Sequence, residues 1–112
     1  MNASDTQIQM RKGIVAFCVL HIISRGRVYT SDLIDELKSA QVIAIEGTLY
    51  PLLQQWKNNG LVTSEKVEPD AGPPRKYYSM TEKGHTFLNE LQTTWEELNS
   101  TVNQLRSKPK NP

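Results

Sequence analysis

Apolar residues recur along this chain with two periods, and the switch between them marks out its elements. From about Thr6 to Ser24 the period is helical: Val15, Cys18, Val19 and Ile22 share one face, while Ile14, Phe17, Leu20 and Ile23 fill much of the rest. A helix apolar nearly all round is covered on both sides. In so short a chain, one of those covers is expected to be another subunit. Gly26 stops this helix, with Arg25 and Arg27 beside its C-terminus, where positive charge is favourable. Thr30 or Ser31 can cap a second helix through a hydroxyl, with Asp32 in its first turn. Leu33, Ile34 and Leu37 form the buried stripe of that helix, which fades near Ala40. After a short apolar link, Val42–Ile45, a third helix is expected from about Glu46 to Asn59, ended by Gly60. Its Leu49, Leu52, Leu53 and Trp56 stand at i, i+3, i+4 and i+7. Pro51 has no amide to donate and belongs in the first turns.

The period then shortens. Leu61–Val67 and Lys76–Met80 alternate like strands, joined by the turn-rich Glu68–Pro74, so a hairpin is expected with Arg75 and Lys76 at its tip. Thr81 caps a last helix running to about Arg106. Leu88, Leu91, Trp95, Leu98, Val102 and Leu105 follow one another in steps of three and four, a heptad seam on a rod on the order of 35 Å long. A domain of this size cannot cover such a seam alone, so the six residues predict a homodimer. The order of elements is that of a winged helix-turn-helix: a mostly α (α+β) fold with a long C-terminal dimerisation helix. Residues 1–81 make the winged unit, 82–106 the dimerisation helix, and 107–112 a polar, disordered tail.

Composition narrows the function by exclusion. With 112 residues, 38% of them hydrophobic, the chain is long enough for one modest core. A net charge of +1 gives no overall basic bias, so any contact with a polyanion must come from local placement of Lys and Arg. Cys18 is the one cysteine and sits in an apolar run, so it reads as a core residue, with no disulfide or zinc partner. His21 and His85 lack ligand-spaced neighbours, so no metal and no cofactor are expected. The apolar run is too short for a membrane span, and the first residues lack a signal layout, which predicts a cytoplasmic protein. No nucleophile elbow, phosphate-cradling glycine loop or inward carboxylate pair is present, so catalysis is not expected.

The chemistry that remains is recognition of duplex DNA. The polar face of the third helix offers hydrogen-bonding side chains to base edges and phosphates. Beside it, Arg75 and Lys76 follow two prolines that stiffen the hairpin. Arg11 and Lys12 open the first helix, positioned for a backbone contact or for plain solvation. Trp95 has two readings as well: it fills an interface, or it forms a platform on which paired indoles sandwich a flat molecule.

Three blocks, Gly47-Thr-Leu-Tyr-Pro-Leu-Leu53, Gly72-Pro-Pro-Arg-Lys-Tyr-Tyr78 and Thr81-Glu-Lys-Gly84, resemble the PadR family of bacterial transcriptional regulators at the same spacing. The resemblance runs from about Arg11 to Leu105. It implies a homodimeric regulator, a repressor, on a palindromic operator in double-stranded DNA, with Thr48, Tyr50 and Lys57 presented to the groove and its flanking phosphates. The chain is also similar to the short, multidrug-sensing branch, which has tryptophan at the place of Trp95. That similarity implies a pore between subunits lined by Met10, Phe17 and Asn99, open to a planar aromatic effector. Two positions depart from the family pattern: Gln54–Gln55 stand where arginine is common, and Trp56 where leucine is. Gln54 replaces a cation with a side chain that pairs with adenine or stays solvated. The alternative is a winged-helix protein-interaction module without specific operator binding.

Overall fold

The computed structural model describes residues 2–42 and 46–109. The sequence folds as α1 (Ser4–Ser24), β1 (Val28–Tyr29), α2 (Thr30–Ser39), α3 (Glu46–Asn58), β2 (Val62–Val67), β3 (Arg75–Met80) and α4 (Glu82–Ser107). This is the winged helix-turn-helix that the hydrophobic periods predict. Residues 43–45 of the expected apolar link, and the last three residues of the expected tail, lie outside the described residues. Ser107, placed in that tail by the sequence reading, still belongs to α4.

The core forms where α1, α2, α3 and the sheet meet. Val19, Leu20 and Ile23 of α1, Leu33 and Leu37 of α2, and Leu49 and Leu53 of α3 are buried in it. Cys18 is half-buried, and burial pushes its thiol above the ordinary range, so it remains a neutral apolar side chain. The expected i, i+3, i+4, i+7 face of α3 is the face that packs, with Trp56 turned inward and Leu52 at its edge.

Three strands form an antiparallel sheet in the order β1-β3-β2. The sequence reading has only two, because Val28–Tyr29 is too short to show a period. It is long enough to pair Val28 with Tyr78 and Tyr29 with Tyr77. The second helix also begins differently from the expectation. Its N-cap is Tyr29, with no side-chain cap, because the Thr30 hydroxyl instead donates to the Lys76 carbonyl at 3.0 Å. Thr30 thus ties the hairpin to α2. The Thr81 cap does form: its Oγ1 accepts from the Gly84 amide at 3.0 Å.

The last helix divides into two parts. Its first turns pack on α1, and Leu88, only 6% exposed, belongs to the chain's own core, with Leu91 half-buried against it. Of the six residues expected to face a partner, Trp95, Leu98, Val102 and Leu105 are exposed. Trp95 and Leu98 still lie beside α1, and beyond Leu98 every described residue of the helix is exposed. The radius of gyration is 17.3 Å, against about 13 Å for a compact chain of this length.

Candidate nucleic-acid interface

Helix α3 ends cleanly. The Gly60 amide donates to the Lys57 carbonyl at 3.1 Å and the Leu61 amide to the Trp56 carbonyl at 2.8 Å, a Schellman closure. It requires Gly60 at φ +76°, a left-handed value that suits glycine. With its apolar face fixed inward, the opposite face is set. Tyr50, Gln54 and Lys57, at i, i+4 and i+7, share one exposed side, and Gln54 Nε2 donates to Asn58 Oδ1 at 2.9 Å. Thr48 is also exposed but lies with Gln55 on the other flank of that face. Pro51 falls in the second turn, where it cannot donate the usual bond back to the Gly47 carbonyl.

The hairpin register decides where the cations go. Lys66 pairs with Lys76 and Val67 with Arg75, so both expected contacts open strand β3 directly after the 68–74 loop, one residue earlier than the strand start expected at Lys76. The sequence reading places them at the tip because turn residues continue up to Pro74. Strand alternation then sends the two to opposite faces. Lys76 shares the face of the buried Tyr78, turned toward the helices. Arg75 lies on the outer face with Tyr77, and its guanidinium sits 5.2 Å from the centre of the Tyr29 ring. On that outer face Arg27 stacks over Tyr77 at 4.2 Å and pairs with Glu65 at 3.3 Å. Arg27 is thus already neutralised within the chain.

On the helix side the hairpin, α2 and α3 converge. A groove of about 510 Å³ is lined by Ser31, Asp35 and Lys38 of α2, Tyr50 of α3, and Pro74 and Lys76 of the hairpin, with Thr30 and Ile34 at its floor. Lys66, opposite Lys76, adds a further ammonium on that hairpin face. Like charges directly across a strand pair repel, and an anion lying along the groove relieves that repulsion. Of the expected DNA-contact residues, Tyr50 and Lys76 meet here. Gln54 and Lys57 continue the same face of α3, whereas Arg11 stands on the exposed first half of α1 and does not line the groove. Ser31, Lys38 and Lys66 escape sequence reasoning. Lys66 becomes visible only once the hairpin register is known, and Lys38 only once α2 is laid beside α3.

A second, smaller hollow lies between α1 and α4. It measures about 90 Å³ and is lined by Gly13, Ile14, Phe17, Leu91, Thr94, Trp95 and Leu98. Phe17 and Trp95 face one another with ring centres 6.1 Å apart, and His21 packs edge-on against Phe17 at 4.5 Å. Two of the four residues expected in the effector pore thus come together. Met10, 71% exposed, and Asn99 do not line this hollow. Among the described residues no cluster of His, Cys, Asp or Glu is arranged to hold a metal. Among them, too, no helix is long and apolar enough to cross a membrane.

Known proteins share this fold. Residues 19–90 match the Transcriptional regulator PadR-like family. The chain is 31% identical over 90 residues to the transcriptional regulator Rv3488 of Mycobacterium tuberculosis, covering 80% of this chain and 83% of that one. A PadR-like transcription factor from Bacteroides fragilis superposes with a TM-score of 0.73 at 48% identity, over 90% of this chain and 98% of that one. A PadR family regulator from Eggerthella lenta reaches a TM-score of 0.85 at 29% identity, over 96% and 94% of the two chains. The chain belongs to the PadR-like family of transcriptional regulators.

Proposed function

We propose that this chain is a homodimeric, sequence-specific DNA-binding regulator that represses transcription by occupying a palindromic operator. The observation that carries this reading is the meeting of Lys38, Tyr50 and Lys76, from three elements, along one groove beside the polar face of α3. In this reading α3 enters the major groove. Tyr50, Gln54 and Lys57 face the bases, with Thr48 at the flank, while Lys76, Lys66 and Lys38 hold the adjoining phosphates. Arg75 supports the hairpin from its outer face, turned away from the groove, and Arg11 contacts the backbone of a neighbouring turn. The exposed run Trp95, Leu98, Val102 and Leu105 supports pairing with a second copy. Two heads seated on a promoter exclude polymerase from the same stretch, hence repression.

Release by a planar aromatic effector is part of the proposal. The Phe17–Trp95 hollow in one copy is smaller than the about 300–1,000 Å³ of ordinary small-molecule sites. A ligand would therefore need the second wall that another copy supplies, with Met10 and Asn99 at the rim. Quenching of Trp95 fluorescence by a planar dye, in a Trp56→Phe background, tests this; an unchanged signal at saturating dye rejects it.

The rival reading, a winged-helix protein-interaction module, draws support from Glu68 and Asp70, exposed acids on the hairpin loop. Capture of sheared genomic DNA by the purified protein separates the two. A few fragments retained at near-physiological salt support the regulator. Diffuse retention that vanishes with salt supports the module.

A further inference from the structure

The end of the reading helix is bonded to the start of the long helix through contacts at Thr81, Lys83 and Gly84. Thr81 Oγ1 donates to the Gly60 carbonyl at 2.6 Å, with the Leu61 carbonyl at 2.9 Å, and the Thr81 amide donates to the same Leu61 carbonyl at 3.1 Å. Gly84 is buried against this junction. A Cβ built on it would stand 2.1 Å from the Leu61 carbonyl oxygen and 3.0 Å from Met80 Sδ, so no side chain fits there. One residue earlier, Lys83 reaches across and donates from Nζ to the Asn59 carbonyl at 2.9 Å. That carbonyl belongs to the terminus of α3, where unpaired acceptors and the negative end of the helix dipole favour a cation. The Lys83 stem passes over Gly60 and shares a hollow with Gln55, Trp56, Leu61 and Phe87.

We infer that Lys83 is a positioning residue: its ammonium latches the C-terminal end of α3 to α4 and so sets the angle at which the reading face is presented. Together with the Thr81 and Gly84 contacts, it makes α3 and the first turns of α4 move as one body. A displacement of α4 then reaches the reading helix undiminished. The inference rests on the DNA-reading role proposed above for its functional readout, but the latch itself is measurable without DNA.

Two measurements on the full chain test it. In the first, spin labels at Asn58→Cys and Glu97→Cys, in a Cys18→Ala background, report the distance between α3 and α4. Lys83→Met keeps the stem and removes the ammonium, and is expected to broaden that distribution, whereas Lys83→Arg restores a narrow one. An unchanged distribution in Lys83→Met overturns the latch. In the second, Lys83→Met is expected to weaken binding to a captured operator fragment by about tenfold, the scale of one lost charge-assisted hydrogen bond. Its salt slope and its binding to unrelated DNA are expected to match the parent. A slope shallower by about 0.9, with equal loss on unrelated DNA, would make Lys83 a phosphate contact and overturn the positioning role. If the parent itself retains no operator fragment while the distance broadening holds, the DNA-reading role fails and the latch stands.

Discussion

Arg75 and Lys76 are adjacent in sequence, yet strand alternation gives them different surroundings and different expected phenotypes. Lys76 faces the groove shared with Tyr50 and Lys38, and it stands across from Lys66. Lys76→Ala is therefore expected to weaken DNA binding and to make the salt slope shallower by about 0.9, one phosphate contact. Arg75 is stacked on Tyr29 on the outer face. Arg75→Ala is expected to leave the slope nearly unchanged and to lower stability by about 0.5–1 kcal/mol, the worth of an exposed cation–π contact. Binding isotherms at several salt concentrations, paired with urea unfolding, distinguish the two. The acids of the hairpin loop act in the opposite direction. Glu68 and Asp70 are exposed beside these cations, so Glu68→Gln with Asp70→Asn is expected to tighten DNA binding, most at low salt where repulsion is least screened. Unaltered affinity at low salt would mean the loop stands clear of the phosphates. The sequence reveals which of these residues are charged, but not which face each occupies, because that depends on a register fixed by pairing across a seven-residue loop.

At the scale of elements, the junction between α3 and α4 leaves no room for a side chain at Gly84. Gly84→Ala would press a methyl against a backbone carbonyl that is itself held by Thr81. A loss of about 1–3 kcal/mol, the usual cost of overpacking, is expected in thermal or urea unfolding. A neutral result would show that the two helices can part without penalty. The long periodic elements α1, α3 and α4 are legible in the sequence because each repeats its apolar spacing over several turns. The elements that escaped are those made by tertiary contact. Strand β1 has two residues and exists because Tyr77 and Tyr78 lie beside it. Thr30 resembles a cap in sequence but is drawn to the Lys76 carbonyl once the hairpin docks. The end of α2 carries no glycine; Gln41 takes the left-handed position at φ +62°, so the usual stop signal is absent. The groove was legible only in part: Ser31 offers itself in sequence as a helix cap, and Lys38 and Lys66 carry no signal until three elements come together.

For the molecule as a whole, the exposed apolar run on the second half of α4 is where the proposed pairing with a second copy is tested. A periodic stripe in the sequence cannot distinguish a helix's own core from a partner's, and that is why Leu88 and Leu91 read as seam residues when they pack within the chain. The remaining run, from Trp95 to Leu105, is the surface a second copy would cover. Leu98→Asp with Leu105→Asp is expected to shift the protein to monomer in sedimentation while leaving its helix content nearly intact; a persistent dimer would locate the interface elsewhere. Because two coupled heads bind a palindrome far better than one, the same variant should lose operator binding steeply. The central claim is that two copies read DNA through α3, and it is tested most directly by a hydroxyl-radical footprint of the purified protein on an operator captured from its own genome, at near-physiological salt. Two symmetric protected patches are expected, with centres about one helical turn apart, around 34–36 Å. A single patch, or protection that disappears at that salt, would contradict it.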